Sequence, residues 1–353
     1  MHGLVAGLHL RWDGVWQRPH HLLTRLAHHV PVVVIEEPFA ATHDWDEVRT
    51  FGNLRVIRPL RARGYGAPYI DEQAIATARS LLGASDTVVW LYTPMMLELA
   101  GAFSGPLVYD CMDDLAAFDF APAGMRERER ALLEGATLVF AGGRSLYASR
   151  AQYGAKVKLV PSGVEFERFS ASPEIAPHPV VAELPSPVYC YVGVIDERID
   201  YEILAALAEA QERPNVVLVG PTVKVDPARF PRRPNVHFTG GVPYASLPSF
   251  LAGTDVALMP FAQNASTRSI SPTKTLEYFA ARVPVATTPI ADVLADYDDL
   301  VDIGDDPATF IAACRRAVAA GAARLDRAQQ VARTHGWDAI AEAMWNDVAN
   351  SVR

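Results

Sequence analysis

The segment SPTKTLEYFAARVPVATTP (271–289) brings two ionisable side chains together at close spacing. Lys274 is one of four lysines among 32 basic residues, so arginine is the default cation of this chain. Ser271 reads as a helix N-cap, and Pro272 as a first-turn residue whose missing N–H costs nothing. Lys274 then falls at about the third helical position, and Glu277 lies three residues on along the same face. A helix start presents unpaired N–H groups and positive potential, which attract an anion. An ammonium aimed at that anion, beside a carboxylate that can accept two hydroxyls, outlines a site for phosphate plus vicinal diol, as in a nucleotide. The competing reading is a solvated ion pair worth roughly a few tenths of a kcal/mol.

A second group of chemically active residues lies in LVYDCMDDLAAF (107–118). Asp110, Asp113 and Asp114 follow an apolar run, where a carboxylate can act as a general base toward a hydroxyl or stand near an oxocarbenium-like centre. Their structural alternative is an N-cap with first-turn acids. In DGVWQRPHH (13–21), Gly14 lets backbone approach phosphate, Arg18 suits phosphate or an acceptor, and Trp16 suits a sugar face or a core. The doublets His20/His21 and His28/His29 lack metal spacing and read as helix surface. Arg58, Arg61 and Arg63 read as a basic loop, either solvated or meeting an acidic acceptor or a membrane surface.

Two sets of alternating elements must position these residues. Apolar runs at 4–10, 32–38, 87–93, 107–110 and 137–142 alternate with helical stretches at 16–29, 72–83, 125–135 and 145–154. Strands apolar along their whole length, separated by helices, imply a parallel sheet covered on both faces. The pattern restarts with strands at 188–194, 215–220, 235–240, 255–260 and 283–288. The expected organisation is an N-terminal Rossmann-like domain over 1–168, a Pro- and Ser-rich linker at 169–187, a second Rossmann-like domain over 188–334, and a C-terminal segment at 335–353. Trp337, Ile340, Met344 and Val348 form an apolar stripe on that segment, which is expected to be a helix crossing back to the first domain.

A length of 353 residues suits two domains. Half the residues are hydrophobic and 21% charged, the balance of a globular chain, and the net charge of −9 argues against a general nucleic-acid binder. The three separated cysteines, the lack of a basic leader and the lack of a long apolar run point to a cytoplasmic protein with reduced thiols. No G-x-G-x-x-G follows the first strand, and neither a Walker A sequence nor G-x-S-x-G occurs.

Read in order, WDGVWQRPHHLLTRLA, LVYDCMDDLAAF, LVPSGVEFERF, YVGVIDERIDYEILAALA, PNVVLVGP, PNVHFTGGVPYASLPSFLAGTDVALMPF and SPTKTLEYFAARVPVATTP resemble the GT-B glycosyltransferases, particularly bacterial ones that build teichuronic acid and capsule. The resemblance implies an α/β protein of two doubly wound domains facing each other across a cleft, with acceptor on the first and sugar nucleotide mainly on the second. It implies that Glu277 holds ribose and Lys274 diphosphate, and that Gly193, Pro260, Phe261, Ser269 and Ser271 line the nucleotide and donor sugar. The basic residues often found after that glycine are absent here, leaving Arg198 and Arg268 as substitutes. The earlier glutamate of retaining members is replaced by Ser269, so retention and inversion both stay open. The implied reaction moves sugar from a nucleoside diphosphate donor, UDP-linked by preference, to a glycan, lipid-linked or small-molecule hydroxyl. No cofactor or metal is implied, and a peripheral membrane contact is compatible with it. A sugar-nucleotide epimerase or a catalytically silent subunit shares the fold; an epimerase alters the donor without an acceptor.

Overall fold

The computed structural model describes residues 1–172 and 174–351. The chain divides into two compact units, Met1–Pro161 with Trp337–Arg353, and Ser162–Gly336.

The first unit is built on a nine-stranded sheet. Its strands are β1 (Gly3–Leu8), β2 (Val32–Glu36), β3 (Phe39–Ala40), β4 (Trp45–Phe51), β5 (Leu54–Arg61), β6 (Thr87–Leu91), β7 (Leu107–Cys111), β8 (Leu138–Ala141) and β9 (Val157–Leu159). The order is β3-β5-β2-β1-β6-β7-β8-β9, with β4 antiparallel on the outer side of β5. Strands β1, β2 and β6 are buried along their whole length, as unalternating apolar runs require. Leu4, Ala6 and Leu8 enter one core and Val5 the other, so each face of β1 carries its own layer. Four helices, α1 (Arg18–Leu26), α2 (Glu72–Leu82), α3 (Met125–Gly135) and α4 (Arg144–Arg150), cover the sheet.

The second unit holds a six-stranded parallel sheet. Its strands are β10 (Val188–Val192), β11 (Asn215–Val219), β12 (Val236–Gly240), β13 (Val256–Met259), β14 (Val285–Thr287) and β15 (Asp302–Ile303), in the order β12-β11-β10-β13-β14-β15. Strand order reverses between β10 and β13, the switch point at which doubly wound sheets open a crevice at their carboxyl ends. The helices of this unit are α5 (Phe166–Phe169), α6 (Pro179–Ala182), α7 (Tyr201–Glu209), α8 (Leu247–Ala252), α9 (Lys274–Ala280), α10 (Ala291–Tyr297), α11 (Pro307–Val318) and α12 (Ala322–Arg333). The last helix, α13 (Trp337–Ser351), returns to the first unit and buries Trp337, Ala341, Met344 and Val348 in the same core as Leu22, Leu23 and Leu26 of α1.

Two features differ from the expectation. The stretch 169–187 is not a linker: Phe169 and Val181 are core residues of the second unit, and His178 stacks on Phe250 at 4.0 Å. Its prolines suit a short helix start and extended backbone rather than a flexible tether. Pro173 of that stretch, and residues 352 and 353 of the C-terminal segment, lie outside the described residues. Nor do Arg58 and Arg61 sit in a loop. Both lie on β5, where Arg61 is buried between Asp46 and Asp71 at 2.7 and 2.6 Å, while Arg58 meets Glu36 at 2.9 Å and Asp13 at 2.6 Å.

Candidate functional site

Two of the residues singled out in the first unit are closed on each other. Arg18 opens α1 and Asp110 lies in β7, 92 positions later, yet Arg18 Nε donates to Asp110 Oδ1 at 2.9 Å with exposures of 2% and 0%. Arg18 Nη1 also donates to the Val160 carbonyl at 2.8 Å. Burial raises the Asp110 pKa, and the adjacent guanidinium works against that rise. Neither residue is therefore placed to meet a substrate. This corrects the reading of Asp110 as a base and of Arg18 as a phosphate or acceptor ligand; the desolvation of each charge is offset by the other.

Around this pair the N-terminal motif folds inward. Trp16 is partly buried, stacks on His20 at 4.8 Å and donates its indole N–H to His21 Nδ1 at 3.2 Å. His20 and His21 are buried, contrary to the surface reading, because each finds polar or aromatic partners that sequence does not display. His20 Nδ1 accepts the Gln17 N–H, closing a capping box on α1, and His21 stacks on Trp337 at 4.8 Å. Burial holds the His20 pKa below its ordinary value. His28 and His29 are exposed. Gly14 is exposed and closes a turn onto the Arg11 carbonyl at 2.9 Å. Of the other two acids, Asp114 lies 3.5 Å from Arg150 and Asp113 is partly buried just beyond β7.

In the second unit Gly193, Pro260, Phe261 and Lys274 come together at the β10–β13 switch point. β10 and β13 pair at Tyr189↔Val256 and Cys190↔Ala257. Beyond that step the Tyr278 hydroxyl stands between the strands, accepting the Val192 N–H at 2.9 Å and donating to the Leu258 carbonyl at 3.4 Å. Tyr278 belongs to α9, so this bridge fastens the helix to both strands where they part. Gly193 follows β10 with φ of +145°, a conformation that disfavours a side chain. Space is tight as well: a Cβ at 193 would stand 3.0 Å from Lys274 Cε and 3.2 Å from Lys274 Nζ, so the lysine would have to give way. The ammonium lies 4.9 Å from the centre of the Phe261 ring and 5.2 Å from that of Tyr191. Two rings and a bare backbone therefore seat Lys274 at the sheet's carboxyl edge.

Glu277 is 8% exposed, so the solvated ion pair is excluded. Burial pushes its pKa up to about 7, opposed by Lys274 and by the Tyr244 hydroxyl, which donates to Oε1 at 3.5 Å, and reinforced by Glu165. The local start of α9 differs from expectation. Thr273, not Ser271, is the N-cap, it makes no side-chain cap, and Lys274 is the first helical residue. Pro272 accepts from Thr275 N in a tight turn before the helix, which moves the helical start two residues on.

The loops after β10 and β13 hold each other. Ile199 bridges Phe261, Asp200 N donates to the Pro260 carbonyl at 2.8 Å, and Ala262 N donates to the Arg198 carbonyl at 2.8 Å. Arg198 itself is bound to Asp196 through Nε at 3.0 Å and Nη2 at 2.6 Å, so much of its charge is already answered. Arg268 is exposed, while Ser269 and Ser271 are partly buried. Tyr191, Tyr244 and Tyr278 escaped the sequence reading because each lies in an apolar or mixed run where a tyrosine looks like core. Among the described residues no group of three or more His, Cys, Asp and Glu side chains is placed to hold a metal ion. No helix there is long and apolar enough to cross a membrane.

Residues 186–320 match the family model for Glycosyl transferases group 1. Over 300 residues the chain is 24% identical to TuaH of Bacillus subtilis, named as a teichuronic acid biosynthesis glycosyltransferase, covering 78% of this chain and 74% of that protein. A sucrose-phosphate synthase from Thermosynechococcus elongatus superposes with a TM-score of 0.74 at 17% identity, over 99% of both chains. HepE from Anabaena, solved in complex with UDP, superposes with a TM-score of 0.68 at 15% identity, over 99% of this chain and 100% of that one. The family match, the relative and the shared architecture support a transferase of sugars with the GT-B fold.

Proposed function

We propose that the chain is a GT-B glycosyltransferase that transfers a sugar from a UDP-linked donor to a hydroxyl acceptor in the assembly of a cell-envelope glycan. The observation that carries the donor half is the seating of Lys274 against Gly193 beside the buried Glu277, at the switch point of the second unit. A compact ammonium there stabilises a diphosphate, and more so as charge develops on the leaving group. Glu277, when ionised, accepts the ribose hydroxyls, each such bond contributing about 1.5–3 kcal/mol. The UDP complex of HepE supports the choice of nucleotide, and the name of TuaH supports the choice of pathway class. With Asp110 closed in an ion pair, the role of general base toward the acceptor passes to Asp113.

Calorimetry with UDP and uridine tests the donor site. Glu277→Ala is expected to weaken UDP roughly 10- to 100-fold. Lys274→Ala is expected to weaken UDP while sparing uridine, which carries no phosphate. Equal losses for both ligands in Lys274→Ala, or unchanged UDP affinity in both variants, removes the site. Release of UDP from a UDP-sugar only when a hydroxyl acceptor is added tests transfer itself.

A further inference from the structure

We propose that Thr288 is a positioning residue for the diphosphate side of this site, acting on Lys274 through Phe261; the proposal rests on the phosphate role given to Lys274 above. Thr288 follows β14 and is buried. Its hydroxyl donates to the Phe261 carbonyl at 2.8 Å and accepts the Phe261 N–H at 3.1 Å, with a longer approach to the Met259 carbonyl at 3.4 Å. Its own N–H donates to the Met259 carbonyl at 3.1 Å. β13 and β14 pair as far as Met259↔Thr287, and there Pro260 interrupts the ladder because it has no N–H. The Phe261 N–H is shared between the Thr288 hydroxyl and the Met259 carbonyl at 3.0 Å, and the Thr288 hydroxyl also supplies the donor to the Phe261 carbonyl, which steadies the orientation of Phe261 where it leaves the strand.

That orientation matters because the Phe261 ring is one of the two that seat the ammonium. The other, Tyr191, is fixed separately by its hydroxyl, which donates to the Val194 carbonyl at 2.8 Å. The two rings meet edge to face at 6.3 Å, so a shift of Phe261 changes the cradle and not merely its rim. Valine at 288 preserves the shape and leaves the buried Phe261 carbonyl without its donor, which favours displacement of the loop toward a new partner. Lys274 then loses the surface that holds it over Gly193, whereas the ribose contacts of Glu277, carried by α9, keep their place.

Calorimetry with UDP and with uridine on the full chain tests this. Thr288→Val is expected to weaken UDP roughly 3- to 10-fold, to leave uridine unchanged, and to be rescued by Thr288→Ser, which restores the hydroxyl. Combined with Lys274→Ala, it is expected to add no loss toward UDP, because both changes act through one ammonium. If the valine variant fails to fold, Thr288→Ala takes its place with the same outcomes. Wild-type affinity for UDP, an equal loss for uridine, or a full additional loss in the Lys274→Ala background overturns the proposal. If Lys274→Ala alone leaves UDP binding intact, the phosphate reading of the site falls and this proposal falls with it. A loss in Lys274→Ala without one in Thr288→Val removes only the role of Thr288.

Discussion

Each unit of this protein places a cation and a carboxylate beside the carboxyl end of a parallel sheet, and the two arrangements behave differently. In the first unit, Arg18 and Asp110 come from elements 92 residues apart, touch at 2.9 Å and are sealed in the core. In the second, Lys274 and Glu277 share one short helix, with the ammonium over two aromatic rings and the carboxyl under a tyrosine hydroxyl. The first pair spends its charges on each other and holds β7, α1 and the Val160 carbonyl together. The second keeps a carboxyl whose pKa, about 7, lets it change charge near neutrality. A direct, sealed contact fits a structural pair; a seated cation beside an acid of raised pKa fits the ligand site proposed above.

Breaking the closed pair gives the largest expected effect. Asp110→Asn leaves Arg18 buried without a counter-charge and is expected to cost about 3–5 kcal/mol of stability, measured by chemical denaturation. The nucleotide affinity of the folded protein should not change. Unaltered stability with a large loss of turnover reverses the comparison and makes Asp110 catalytic.

Titrating the second pair gives a smaller one. The folded pKa of Glu277, about 7, lies above its ordinary value of 4.5, so the folded state holds this proton more tightly than the unfolded chain. The resulting stabilisation is complete below pH 4.5 and is lost as pH rises through about 7. Over that interval Glu277 accounts for a fall of roughly 1–3 kcal/mol, and Glu277→Gln flattens it in denaturation series collected across pH. UDP affinity should rise over the same interval, because the ionised carboxylate is the better acceptor. Identical pH profiles for the wild type and Glu277→Gln contradict the raised pKa.

The smallest effect is expected at Arg198. Its bidentate contact with Asp196 already engages the guanidinium, so Arg198→Ala should weaken UDP by less than about threefold. A loss larger than that of Lys274→Ala places the principal phosphate charge on the β10 loop instead.

Local pattern carried the sheet architecture into the sequence, because buried parallel strands are apolar throughout and helices between them keep their own period. β4 and β5 escaped that reading: WDEVRTF and LRVIRPLR are crowded with charge, and only pairing with Asp13, Glu36, Asp46 and Asp71 lets those arginines enter a strand. Lys274 and Glu277 were legible because their neighbourhood is one short segment. The partners of Arg18, His20 and His21 were not, since burial of a polar side chain depends on groups brought from distant positions. Ser271 shows the limit at finer scale, where a proline can precede a helix by a turn or begin it.

The return of α13 has a consequence for the order in which this protein is made. Residues 1–161 are synthesised early, but the core under α1 stays open until Trp337, Ala341, Met344 and Val348 have left the ribosome. During that interval the second unit, contiguous from Ser162 to Gly336, can reach its own fold. The second unit can thus be complete before the first, and damage to α13 falls on the core it shares with α1.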